Sequence, residues 1–239
     1  MTFQSAQIGF DRFIKIEWAE AALRVRVGVS SLDDLTQLLD ASHSGAAAKK
    51  KTRTVLNRLW LEPLRPDLVD FADRGAAIYR HTPYVSVSAL SWGMALATYP
   101  FFGKVAEIVG RLTALQGECT SAEIHRRMAE IYGEREGTRR MVNMVLQTQA
   151  SWGAIERHEN GKRIVRNKSI DLDGGEVAAW LAEACLRYAG RSLPVAILEV
   201  KPIIYPFRFG GSVSYVLSKS SNIEMRVDGA GNQIVDLLP

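Results

Sequence analysis

Between Thr120 and Lys168 the sequence spells two amphipathic helices and then a basic hairpin, and this order of elements constrains the fold more than any other feature of the chain. Thr120, Ser121, Ala122 and Glu123 read as a capping box, in which the Thr hydroxyl and the Glu carboxylate each satisfy a free backbone N–H at a helix start. Ile124, Met128, Ile131 and Tyr132 follow at helical spacing as a core face, and Gly133 can adopt the left-handed conformation that ends a helix. A second helix is predicted from about Glu136 to Ser151, with Met141, Met144, Val145 and Leu146 turned inward. Arg140, Asn143 and Gln147 stand at i, i+3 and i+7, so they project together from its opposite face. After Trp152-Gly153 the chain runs out through Ile155, turns at Asn160-Gly161 and returns through Ile164-Val165. Asn-Gly is the strongest short hairpin signal, because both residues tolerate the positive φ of a type I′ turn.

Helix, helix and basic hairpin in that order are the signature of a winged helix-turn-helix, which points to double-stranded DNA as the partner. Arg139, Arg140, Asn143 and Gln147 carry the side chains that pair with base edges in a major groove. Arg157, Lys162, Arg163, Arg166 and Lys168 then form a basic wing suited to the flanking phosphates. A second cationic run, Lys49-Lys50-Lys51-Thr52-Arg53, follows the small-residue stretch Ser44 to Ala48. As a loop entering a helix it is a further candidate for phosphate contacts, although runs of this kind are more often only solvated.

The remainder predicts a mainly α protein with small β-hairpins. With 239 residues, 47% of them hydrophobic and 23% charged, the chain can bury a full core as one large domain or as two or three small ones. Helical patterns cover Asp11 to Arg26, Leu32 to Asp40 behind a Ser30 or Ser31 cap, Lys51 to Trp60, Pro66 to Tyr79, Ser88 to Thr98 and Phe102 to Leu115. The expected organisation is an α-helical bundle over 1–117, a winged helix over 118–170 and a winged-helix-like module over 171–239. That last region opens with a helix from Glu176 to Tyr188 and ends in a hairpin turning at Asp228-Gly229. Its Ile223-Glu224 and Ile234-Val235 repeat the spacing of Ile155-Glu156 and Ile164-Val165, with a two-residue insertion at the turn. A plain antiparallel meander, with Val195 to Ile204 and Ser212 to Leu217 as strands, is the alternative.

The net charge of +4 is mild, so basicity matters only where it clusters. Two cysteines, Cys119 and Cys185, are too few for a disulfide framework or a zinc site, and Met1 to Phe10 lacks the pattern of a secretory signal; a cytoplasmic setting is expected. Tyr84 to Gly103 is uncharged and long enough for a membrane span, yet Ser86, Ser88, Ser91, Thr98 and Pro100 interrupt it, and a buried helix is the better reading. Glu199-Val200-Lys201, with Asp171 and Asp173 upstream, resembles the carboxylate and lysine pattern of metal-dependent nucleases. The pattern is short and common, and Pro202 follows at once, so an ordinary exposed pair is preferred. The four histidines are scattered, and no phosphate loop, nucleophile elbow or paired-histidine metal motif is present; no catalytic residue, cofactor or metal is expected.

The helical N-terminal region, the helix pair ending in Gln147-Thr148-Gln149-Ala150-Ser151-Trp152-Gly153-Ala154-Ile155, and the C-terminal helix and hairpin together resemble the BrxA family of BREX phage-exclusion systems. The likeness lies in layout and in that one phrase. It implies a bacterial defence component that binds double-stranded DNA without cutting it, working beside other defence proteins. A transcriptional regulator with one operator is the runner-up, and a protein-docking scaffold is third.

Overall fold

The computed structural model describes residues 9–82, 84–172, 175–218 and 220–238, and it is mainly helical, 63% helix with sheets of two or three strands. The chain opens with α1 (Ile16–Arg26), α2 (Leu32–Ser42) and α3 (Ala46–Leu56), the last continuing as a π-helical turn, Asn57–Leu61. Then come α4 (Pro66–His81), α5 (Val87–Thr98), α6 (Pro100–Gln116) and β1 (Glu118–Thr120). The helix pair is α7 (Ser121–Tyr132) and α8 (Glu136–Ser151), followed by β2 (Ile155–His158), β3 (Arg163–Arg166) and β4 (Ile170–Leu172). The last part holds α9 (Gly175–Ala189), β5 (Leu193–Pro194), α10 (Val195–Glu199), β6 (Phe207–Phe209), α11 (Val213–Ser218), β7 (Ile223–Val227) and β8 (Gln233–Leu237).

Two helix starts lie five residues from where the periodicity puts them. The first helix begins at Ile16 rather than Asp11, because its approach is held extended by α8: Thr148 Oγ1 accepts the Ile14 N–H at 2.9 Å, Ser151 Oγ accepts the Ile16 N–H at 3.1 Å, and Trp152 Nε1 donates to the Ile14 carbonyl at 3.0 Å. Backbone groups paired in this way have no need of a helix. Conversely α3 starts at Ala46, five residues before Lys51, since Ala46 to Ala48 are strong helix formers; the lysine run therefore lies within the helix rather than at its mouth. Tyr84 to Gly103 is divided between α5 and α6, and among the described residues no helix is long and apolar enough to cross a membrane.

The core is continuous from α1 to β8. At its centre Trp180 of α9 lies flat on Phe71 of α4, ring centroids 4.2 Å apart, and stacks at 6.3 Å on Trp60. Gly75 and Gly93 make room for it: a Cβ on Gly93 would fall 2.3 Å from the Trp180 ring. Beside them the buried Glu183 of α9 is paired with Arg74 and with Arg187, the latter at 2.8 Å, so its charge does not stand alone.

Around α7 and α8 the sheet runs β1-β3-β2, with both pairings antiparallel. The capping box is formed: Glu123 N–H donates to Thr120 Oγ1 at 3.1 Å and Thr120 N–H to Glu123 Oε2 at 2.9 Å. Replacing Thr120 by Ala is expected to lower the unfolding free energy by about 1 kcal/mol; an unchanged urea midpoint would mean that the box adds nothing. The inward face of the pair differs from the expected one. Ile131 is 55% exposed, Met141 and Met144 are only half-buried, and Thr138, Val142, Thr148 and Gln149 take the interior positions. Of these, Thr148 Oγ1 is hydrogen-bonded and Gln149 Oε1 accepts from the Tyr205 hydroxyl, while Thr138 Oγ1 and Gln149 Nε2 have no partner among the described residues.

The same strand order recurs in β5-β8-β7, again antiparallel, with α10 and α11 between the first strand and the hairpin. The meander alternative is overturned. Val195 to Ile204 forms α10 and a 3₁₀ turn, and Val213 to Ser218 is helical, because Leu193-Pro194 already fills the position beside β8. The second hairpin turns over Gly229–Gly231 rather than at Asp228-Gly229. Asp228 sits at its base, its carboxylate accepting from the N–H groups of Ala230 and Asn232, both at 2.9 Å.

Candidate functional site

The tip of the first hairpin is a tight turn: Lys162 N–H donates to the Glu159 carbonyl at 3.2 Å, Asn160 lies at φ 55 and ψ 33, and Gly161 at φ 83. These are the angles of the type I′ turn that Asn-Gly favours. Glu159 is left-handed as well, at φ 53. The tip is fixed against the start of α7 by Ser121 N–H, which donates to the Lys162 carbonyl at 2.8 Å. Residues 160–162 are thereby held beside the exposed face of α8.

Between α8, the first turn of α7 and this tip runs an open groove of about 500 Å³. Arg139, Arg140, Asn143 and Gln147 all line it, as expected of one helical face, and Arg157 and Lys162 close it from the hairpin. Among the described residues no Asp or Glu lines the groove. Arg139, Arg140 and Lys162 are exposed, whereas Arg157 is half-buried and lies directly over the buried Gly161, where a Cβ would come within 2.4 Å of its guanidinium. Burial lowers the pKa of Arg157 from its ordinary value; an arginine keeps its charge nonetheless.

The wing is not uniformly basic. Strand alternation sends Arg157 and Arg166 to the inner face of the sheet and Arg163 to the outer one. There Arg163 is bound by Glu118 at 2.8 Å and by Glu159 at 3.1 Å, and His158 pairs with Glu156 at 3.1 Å. Its hydrogen bonds to those carboxylates raise the Arg163 pKa, a charge already answered within the protein. Arg166 lies at the far end of β3, in a separate cleft with Lys201 and Arg208. Lys168 is exposed beyond the strand. Of the five expected wing cations, the fold therefore brings Arg157 and Lys162 to the groove and sends Arg163 and Arg166 elsewhere.

The lysine run is also apart from this site. Lys49 is paired with Asp40, and Arg53 donates to Asn57 Oδ1 at 2.8 Å and to Thr36 Oγ1 at 3.2 Å, while Lys50 and Lys51 are exposed. None of the four lines the groove. Asp171, part of the nuclease-like pattern, pairs with Arg208 at 3.4 Å; Glu199 ends α10 and borders the same cleft as Lys201. Asp173 lies outside the described residues, among which no group of three His, Cys, Asp or Glu side chains could hold a metal ion.

One groove residue escaped sequence reasoning. His125, on the first turns of α7, lines the groove with Asn143, Arg139 and Arg157 near it, and nothing in the helical spacing marks it out from any other polar position. No protein-family model matches the chain, and no curated protein or solved structure matches it either.

Proposed function

We propose that this protein binds double-stranded DNA as a winged helix, with α8 entering the major groove and the hairpin tip resting on the backbone. The reading is carried by one observation: four cations, Arg139, Arg140, Arg157 and Lys162, converge with Asn143 and Gln147 on a groove lined by no carboxylate among the described residues. Like charges gathered without a counter-charge repel one another, and a polyanion relieves that repulsion. A major groove about 12 Å wide admits a helix, and Asn and Gln pair in bidentate fashion with adenine. Arg157 and Lys162 would then hold phosphates, and the protein would contribute binding rather than bond chemistry. The likeness in layout to the BrxA family supports a phage-exclusion component as the cellular setting.

Binding to a labelled duplex, followed by fluorescence anisotropy over a salt series, tests the reading. Micromolar protein is expected to bind at about 50 mM salt, with log affinity falling linearly against log salt; no binding under those conditions refutes it. Asn143 and Gln147 are base-reading types, which favours a regulator with one preferred operator as the second reading. In that case Asn143→Ala costs about 1–3 kcal/mol on the preferred site and almost nothing on random DNA. A selection from random oligonucleotides that enriches no motif removes the regulator and leaves sequence-blind binding.

A further inference from the structure

On two residues that line the groove, a polar atom is buried and has no partner among the described residues: Nδ1 of His125 and Nε of Arg157. Groups of this kind are usually hydrogen-bonded, and an unpaired one costs free energy. The helix start beside them is not the explanation, because the N–H groups of Thr120 and Glu123 are taken up in the capping box and that of Ser121 by Lys162. The charges facing His125 from α8 and β2 are those of Arg139 and Arg157. On α7 itself Arg126 is tied to Glu130 at 2.9 Å, and His125 also borders an adjoining hollow at the α7–α8 elbow that Glu130, Glu134, Arg135 and Glu136 line. Burial lowers the pKa of His125 from its ordinary value; a side-chain hydrogen bond with Asn143 works in the opposite sense, and the charges of Arg139 and Arg157 lower it again.

We propose that His125 and Arg157 together form a site for one phosphate group, with imidazolium and guanidinium as its two donors. Resting on the reading of the groove as a DNA interface, this site would take a backbone phosphate. Neutral imidazole offers one N–H donor and imidazolium offers two, so an anion placed against His125 favours its charged form. Binding then takes up a proton. The sign follows: affinity rises as pH falls from the titration midpoint of the bound state toward the lower midpoint of the free state, by at most about tenfold per pH unit for one proton, and levels off below.

The first measurement needs no DNA. The His125 C2–H proton resonance, assigned by its loss in His125→Gln, is titrated with and without inorganic phosphate at constant ionic strength. Its midpoint is expected to rise by about half a unit or more with phosphate, as an anion in contact requires. An unmoved His125 midpoint, or an equal shift at all four histidines, overturns the site. The second measurement follows duplex affinity between about pH 5.5 and 8. Wild-type affinity is expected to gain several-fold toward low pH and His125→Gln to lose that gain. If both proteins show the same pH dependence, the phosphate site falls and the DNA reading stands. If phosphate moves the His125 midpoint but no duplex binds at any pH, the site stands and the DNA reading falls.

Discussion

Alanine at Arg139, Arg140 and Arg157 together is expected to reduce duplex affinity at about 0.1 M salt on the order of several hundredfold, and to flatten the log–log salt slope by about 2.7 units if each side chain neutralises one phosphate. All three line a groove without a carboxylate, so each can release counterions from DNA without first breaking an ion pair. Arg163 is the contrasting position. Its guanidinium is bound to both Glu118 and Glu159, and Arg163→Ala is expected to leave affinity within about twofold, in keeping with the small worth of an exposed cation already paired. If Arg163→Ala were the damaging change and the triple variant harmless, the interface would lie on the outer face of the sheet. Unchanged circular dichroism keeps the comparison one of binding and not of folding.

The largest effect on stability is expected at Trp180. Removing its ring takes away a stacking partner 4.2 Å from Phe71, a second stack on Trp60 and a hydrogen bond from Nε1 to the Phe71 carbonyl at 3.1 Å. Two glycines beside it, Gly75 and Gly93, have no side chain with which to fill the space. Trp180→Ala should therefore cost about 3–5 kcal/mol, a large part of the 5–15 kcal/mol that holds a typical protein folded. Urea unfolding at equilibrium measures it. A loss below about 1 kcal/mol would show that the surrounding helices collapse onto the site, contrary to the behaviour of tightly packed cores.

The elements most legible in the sequence are those specified by local chemistry. Thr120 and Glu123 announce a helix start because the two side chains satisfy each other's backbone N–H groups, and Asn160-Gly161 announces a turn because of the angles it requires; neither depends on distant residues. The polar stripe on α8 was legible for the same reason. What escaped was decided by partners far along the chain. Residues 11–15 carry a helical pattern but are held extended by Thr148, Ser151 and Trp152. Thr138, Thr148 and Gln149 occupy interior positions that periodicity gives to Met141 and Met144. The hairpin is less basic than its own residues suggest because Glu118, from a strand 45 residues away, sits against Arg163. His125 gave no signal, since its surroundings come from three separate elements.

The clasp between the stretch before α1 and the end of α8 bears on the order in which the molecule is assembled. Its hydrogen bonds join residues 134, 135 and 138 positions apart. During synthesis Ile14 emerges long before Thr148 exists, and it must stay unpaired until most of the chain has followed. Closing a loop of that length costs about 4 kcal/mol of chain entropy before any contact is gained. The C-terminal end of α8, which carries Thr148 and Ser151, is therefore among the last surfaces to be completed, in keeping with the slow formation of distant contacts, and a nascent chain would carry the whole helical N-terminal part before its groove could take shape.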